Sequence, residues 1–303
     1  MSDIKLFRTN ADEVTQLEGH SVALEKSLQS LMEKNLDVFL GIRFLATEHS
    51  TGKTHGGRID TLGIDENGCP CIIEYKRSSN ENVINQGLYY LDWLLDHKGA
   101  FELLVLKSLG QEAADAIEWS SPRLLCIAGN FTKYDGHAVQ QINRNIELIK
   151  YVRYGDEFLL LDRVNSVQAT SSPDRASADR KPDAPRRTVA DHIKEASAEL
   201  TDLFEQLKAT CMGFGDDVEM KILKQYVAFR RLKNFASANV RATSGQIVLY
   251  VKVNPDQTEL EEGFTRDVRS IGIWGTGDLE ILIRNQHDLE RALPYLQMSY
   301  EAS

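Results

Sequence analysis

The stretch from Arg58 to Lys76 constrains this chain more tightly than any other. Two strand-like runs, Arg58–Ile64 and Cys69–Lys76, flank Asp65-Glu66-Asn67-Gly68, a strong hairpin turn signal. A loop of Glu66–Gly68, with Gly68 in the left-handed conformation, sets one register. In that register Asp60 lies directly across from Glu74. Residues i and i+2 of a strand share a face, so Lys76 and Ile72 point the same way as Glu74, while Cys71, Ile73 and Tyr75 point the other way. A loop one residue longer or shorter would turn every side chain to the opposite face.

Two carboxylates facing each other across a sheet repel. A hard divalent cation removes the repulsion: Mg²⁺ is typically held by one or two carboxylates, with waters and phosphate oxygens completing its shell. A lysine two residues along can hold a water or the charge that develops on phosphate. Together these groups equip a site for metal-assisted phosphodiester hydrolysis.

Around this hairpin the first part of the chain alternates helix and strand patterns. Ser21–Leu40 reads as a helix ended by Gly41, Glu81–His97 as an amphipathic helix, and Phe101–Lys107 and Arg123–Ala128 as buried strands with a short helix near Gln111–Ile117 between them. A helix near Tyr134–Asn145 and strands Glu147–Tyr154 and Phe158–Val164 follow. Strands alternating with helices imply a mixed α/β sheet. Residues 166–188 are polar, hold three of the seven prolines and lack apolar periodicity, so they read as a linker. The expected organisation is a first domain at 1–165, the linker, and a second domain at 189–303.

Composition bounds the partners. The net charge is −10, which argues against a surface that is basic all over. The charge is uneven, however: Met220–Pro255 holds no acid but carries Lys221, Lys224, Arg230, Arg231, Lys233, Arg241 and Lys252. No apolar stretch approaches the roughly 20 residues of a spanning helix. The opening MSDIKLFRTNADE has no apolar signal core, so the expectation is a soluble cytosolic protein. Cys69, Cys71, Cys126 and Cys211 lack zinc-ligand spacing and are expected as reduced thiols.

The residues Gly57-Arg-Ile-Asp60-Thr-Leu-Gly, then Glu74-Tyr-Lys76, then Gln86-Gly-Leu-Tyr89-Tyr90 resemble the PD-(D/E)XK nuclease superfamily, in the branch of RecB-type nuclease domains and NucS-like endonucleases. Ile59 stands where the family's leading proline would be. The resemblance implies a restriction-endonuclease-like mixed sheet flanked by helices. It implies Mg²⁺ or Mn²⁺ on Asp60, Glu74 and the Ile73 carbonyl, with Lys76 orienting the attacking water. It also implies an acidic residue on an early helix, assigned to Glu25 with Glu33 as the rival. Gln86 and Tyr90, four apart on one helix face, would position substrate or Lys76. Arg58 and Arg77 flank the site and either touch phosphate or pair with Asp65 or Glu66. The implied substrate is DNA, although RNA suits the same chemistry, and the related endonucleases suggest a homodimer. The alternative is a catalytically silent nucleic-acid or protein interaction module on the same fold.

The second part reads as a smaller α+β domain: a helix at 189–212, strands near Val218–Leu223, Tyr226–Leu232, Asn234–Val240, Gln246–Val253 and Leu279–Ile283, and a last helix from His287 to about Tyr300. It resembles a bacterial domain of unknown function sometimes labelled a predicted transport protein. The glycine-rich Gly272-Ile-Trp274-Gly-Thr-Gly277-Asp278 lacks a Gly-Lys-Ser/Thr ending and leads into a strand, so it is not a phosphate loop. Tyr226, Phe229, Phe235 and Tyr250 interleave with the acid-free basic residues, a pattern that suits either nucleic-acid contact or core-facing strands with solvated bases; the second reading is preferred.

Overall fold

Helix and strand alternate through the first half of the chain because its apolar residues switch between two spacings. The computed structural model describes residues 4–10, 13–20, 25–76, 82–168 and 188–303. It divides into two units, Met1–Asp174 and Arg175–Ser303.

The first unit opens with β1 (Leu6–Asn10) and β2 (Glu13–Leu17), a separate two-stranded sheet, and the short β3 (Gly19–His20). Then come α1 (Glu25–Lys34), α2 (Leu36–Leu40), β4 (Ile42–Ser50), α3 (Gly52–His55), β5 (Arg58–Asp65) and β6 (Pro70–Tyr75). Three helices follow: α4 (Val83–Asp96), α5 (Lys98–Leu109) and α6 (Gln111–Asp115). The unit closes with β7 (Arg123–Ala128), α7 (Lys133–Gln140), β8 (Asn145–Tyr154) and β9 (Phe158–Val167). The central sheet is mixed, in the order β3-β8-β7-β6-β5-β4, with β9 pairing β8. β4, β5 and β6 form an antiparallel meander, and β6, β7 and β8 run parallel.

The β5–β6 hairpin takes the register that its loop dictates. Thr61 pairs Ile73, Leu62 pairs Ile72, Gly63 pairs Cys71 and Ile64 pairs Pro70. Gly68 has φ +77°, and a Cβ there would lie 2.4 Å from the Ala116 carbonyl oxygen, so both backbone and space demand glycine. Leu62, Ile64 and Ile72 build one face of the core together with Leu124, Cys126, Leu148 and the Val83, Ile84, Leu91 and Leu94 stripe of α4.

Several expectations need correction in the first unit. Phe101–Lys107 is not a strand but the middle of α5. Phe101 and Val105, four apart, are buried, whereas Leu103 and Leu106 are 49% and 38% exposed; a short apolar run alone does not distinguish the two periods, and packing chose the helical one. The helix expected over 21–40 breaks at Asn35, which leaves helical dihedrals (φ −133°), into α1 and α2. The strand β9 runs to Val167, two residues into the expected linker; residues 169–187 of that linker lie outside the described residues.

The second unit holds α8 (Val189–Lys194), α9 (Ala198–Met212), β10 (Glu219–Ile222), β11 (Val227–Arg230), β12 (Asn234–Arg241), β13 (Gln246–Val251), β14 (Thr265–Asp267), β15 (Leu279–Ile283) and α10 (Gln286–Glu301). Its sheet is antiparallel throughout, in the order β10-β11-β12-β13-β15-β14. The single helix expected at 189–212 is two, because Ser197 accepts the Leu200 amide and starts a new helix. One face of the sheet packs Phe229, Ala236, Leu249 and Ile281 against Leu203, Leu207, Leu289 and Leu296 of α9 and α10. Val248 and Tyr250 meet Val268 and Ile273 on the other face.

Among the described residues, no helix is long and apolar enough to cross a membrane.

Candidate functional site

The site forms where β5 and β6 part. Their backbone ladder stops at Thr61 and Ile73. Beyond it the carboxylates replace the backbone carbonyls. The Asp60 amide donates to Glu74 Oε1 at 3.1 Å, and the Tyr75 amide donates to Asp60 Oδ2 at 3.0 Å. Each acid thus accepts a hydrogen bond from the opposite strand, and both residues are buried. Strand alternation puts them on the α4 side of the sheet, with Leu62 and Ile72. The next strand brings Cys126 beside Glu74. Burial pushes the Cys126 thiol well up from its ordinary value, and the charges of Glu74 and Asp135 add to this, so the thiol stays protonated and inert. Burial likewise pushes the Tyr75 phenol up, with the Glu33, Asp60 and Glu74 charges reinforcing it.

Lys76 continues the line past Tyr75, its amide bonded to the Ile127 carbonyl at 2.9 Å. Its ammonium lies 3.5 Å from Asp135 Oδ2 and 5.8 Å from the centre of the Phe131 ring. Asp135 is fixed in turn by the capping box that starts α7: its carboxylate accepts from the Thr132 amide at 2.7 Å and the Thr132 hydroxyl at 3.0 Å. Burial alone would raise the Asp135 carboxyl. The Thr132 hydrogen bonds, and then Lys76, outweigh burial and hold it below the ordinary value.

Helix α1 buttresses the site from its own side. Gln29, buried, donates to the Asp60 carbonyl at 3.0 Å and to Glu33 Oε1 at 3.0 Å. Glu33 also accepts from the Thr61 hydroxyl at 2.7 Å. Thr61 points away from Asp60 by strand alternation, so the Glu33 carboxylate is tied to the opposite face of β5. Glu25 is the first residue of α1, and its side chain lies outside the described residues. Arg77 also lies outside them.

Gln86 and Tyr90 are brought together on α4: Gln86 Nε2 donates to the Tyr90 hydroxyl at 3.2 Å. The same hydroxyl accepts the Arg58 amide at 3.1 Å. Tyr90 is buried in the core, and Gly57 lets the chain pass over its ring, where a Cβ would approach to 2.5 Å. The Arg58 side chain pairs with Glu48, and neither Asp65 nor Glu66 holds it. Asp65 instead joins Arg123 at 2.9 Å in a buried cluster with Glu147 at the far end of the strands. Trp93 packs in the core, whereas Tyr89 is 47% exposed and donates its hydroxyl to the His55 carbonyl.

Gln29, Glu48 and Asp135 escaped sequence reasoning. Gln29 had a signal, lying four residues from both Glu25 and Glu33. Glu48 sits between Thr47 and His49, which pair Thr61 and Ile59, and so reaches the position across from Asp60; its φ of 49° marks an irregularity that sequence does not show. Asp135 was readable as a helix cap, but its contact with Lys76 spans 59 positions.

A family described as a domain of unknown function, DUF5655, matches residues 189–303. An uncharacterized protein of Haemophilus influenzae is 26% identical, over 98% of this chain and 99% of its own length. A solved chain from the structure of an EndoMS–dsDNA2 complex is similar at a TM-score of 0.25 and 17% identity, over 47% of this chain. This chain spans about half the length of that one, with 49% of it covered.

Proposed function

We propose that the first unit is a metal-dependent nuclease that hydrolyses phosphodiester bonds in DNA. The observation that carries this reading is the pair Asp60 and Glu74, opposed and buried where two strands part, with Lys76 next on the same face. The residues fit a hard divalent cation. The donors are carboxylate oxygens, and an ionised carboxylate offers about four lone-pair sites, so one accepted amide does not exhaust it. Among the described residues no group of three or more His, Cys, Asp or Glu side chains gathers closely enough to cage a metal. Mg²⁺ or Mn²⁺ is typically held by one or two carboxylates, with waters and substrate oxygens in the rest of its shell. Asp60, Glu74 and the Ile73 carbonyl would hold the ion, which supplies Lewis-acid activation of phosphate and water.

The chain's own groups do the rest. The crossed amide bonds hold Asp60 and Glu74 in place, and Gln29 fixes the Asp60 backbone. Lys76 orients the attacking water and meets the charge that develops on phosphate; Asp135, 3.5 Å away, holds its ammonium near the site. The Tyr90 hydroxyl pins the Arg58 backbone and Gln86, and Arg58, whose side chain pairs with Glu48, is proposed as a substrate-positioning group at the rim. Glu25, at the start of α1, is proposed as the helix acid, because Glu33 is engaged by Thr61. Arg77 is proposed as a second phosphate contact, and RNA remains a substrate with the same chemistry.

One observation favours the second reading, a silent interaction module: Lys76 leans on Asp135. The deciding experiment is cleavage of labelled single-stranded, duplex, flap and mismatched DNA with Mg²⁺, Mn²⁺ or EDTA. We expect metal-dependent cleavage, a loss of about 10²-fold or more in Lys76→Ala, and weaker Mg²⁺ binding in Asp60→Asn. No cleavage with either metal, with DNA binding intact in Lys76→Ala, would establish the silent module.

A further inference from the structure

The acid-free stretch Met220–Pro255 finds its purpose in a pocket of the second unit. The cavity measures about 370 Å³, within the range of small-ligand sites. Gln225, Asn239, Arg241, Thr243 and Ser244, all from that stretch, line it, and Trp274 stands at its side. Among the described residues, no carboxylate lines it.

Arg241 differs from its neighbours in charge balance. Arg231, Arg266, Arg269, Arg284 and Arg291 each meet an aspartate or glutamate. Arg241, among the described residues, meets none, in a chain whose net charge is −10. A guanidinium without a carboxylate, beside two hydroxyls, is a receptor for an anion such as phosphate.

Trp274 supplies the second element. It is 53% exposed, yet its loop is held firmly. The Thr276 amide donates to Ser237 Oγ at 3.1 Å, and Asn234 donates to the Thr276 hydroxyl at 3.1 Å. Gly275, at φ +122°, lies against Ser237 where a Cβ would approach to 2.6 Å, so the loop sits close on the sheet. An exposed indole on a fixed loop is a stacking platform, and stacking is indifferent to which base it receives. Asn239 and Gln225 add amides that both donate and accept. The pocket is also lined by His192, whose Nδ1 is buried without a hydrogen-bond partner among the described residues. Tyr226, Phe229, Phe235 and Tyr250 are buried, in line with the preferred core-facing reading, and offer no stacking surface.

We propose that this pocket binds a nucleotide unit, with the base on Trp274 and the phosphate at Arg241, Thr243 and Ser244. The unit is either a free nucleotide or the terminal nucleotide of a strand. The inference is independent of any chemistry at Asp60.

The test is calorimetric and fluorescence titration of the full chain, in EDTA, with AMP, adenosine and a short 5′-phosphorylated oligodeoxyadenylate. AMP is expected to bind and to quench tryptophan emission, with adenosine weaker by about tenfold or more, the scale of a lost charge-assisted hydrogen bond. Trp274→Ala and Arg241→Gln should each weaken AMP by about tenfold, Trp274→Phe should retain calorimetric binding, and unchanged thermal midpoints confirm folding. An oligonucleotide that binds more tightly than AMP assigns the site to strand ends; equal or weaker binding assigns it to free nucleotides. No binding of AMP or oligonucleotide to the wild type, equal affinity for AMP and adenosine, or affinity untouched in folded Trp274→Ala and Arg241→Gln would overturn the proposal.

Discussion

Asp135 shows how one side chain ties a local motif to a distant one. It caps α7 through Thr132 and faces Lys76 across 59 positions. Its carboxyl is held below the ordinary value of 3.8. A carboxylate depressed on folding contributes stability that is fully present above its unfolded pKa. That stability is lost as pH falls through the lower, folded value. Urea midpoints measured from pH 6 down to pH 2 should therefore fall less steeply in Asp135→Asn than in the wild type. A parallel fall in both proteins would mean that Asp135 carries no share of the acid sensitivity. The same substitution should reduce cleavage by less than Lys76→Ala does, because it disturbs the ammonium's position without removing it.

At the scale of elements, the β5–β6 hairpin serves two ends with opposite chemistry. At the turn, Asp65 accepts the Asn67 and Cys69 amides, and its other oxygen meets Arg123, which also binds Glu147. All three charged groups are buried. Arg123→Met would leave two carboxylates in the interior without their cation, and urea unfolding should show a loss of about 3–5 kcal/mol. A loss below about 1 kcal/mol would show that the cluster is readily rehydrated. Gly68→Ala tests the turn itself. Left-handed backbone and the Ala116 carbonyl at 2.4 Å from a new Cβ both oppose it, so a loss of at least ~1 kcal/mol is expected. Because the turn sets the register that opposes Asp60 and Glu74, weaker metal binding should accompany that loss.

At the scale of the whole molecule, each unit has an apolar core of its own, one against the mixed sheet and one against the antiparallel sheet. Each unit therefore buries apolar surface of its own. Expressed separately, residues 1–168 and 188–303 are each expected to give one cooperative thermal transition, read by circular dichroism. A piece that shows only a broad, non-cooperative melt would mean that it draws its stability from the other. Cleavage activity is expected in the first piece and AMP binding in the second, so the two functional readings can fail independently.

Much of the candidate site was legible because hairpin rules are local. Turn residues and alternation set the register, and the register places Asp60, Glu74 and Lys76. The spacing of four between Gln86 and Tyr90 likewise sufficed to put them in contact. The linear chain does not carry the decisions made by packing. Phe101–Lys107 is apolar enough for either period, and burial of Phe101 with Val105 selected the helix. Lys76 meets Asp135, and Asp60 meets Gln29, only because separate helices fold onto the same pair of strands. The aromatics of the acid-free stretch face a core, as the preferred reading expected, but the exposed indole came from a glycine-rich turn far along the chain. Sequence determined which residues share a strand or helix face, since covalent geometry sets those periods. Tertiary structure decided which faces are buried and which charges meet, since contacts between distant segments depend on the packing of the whole unit.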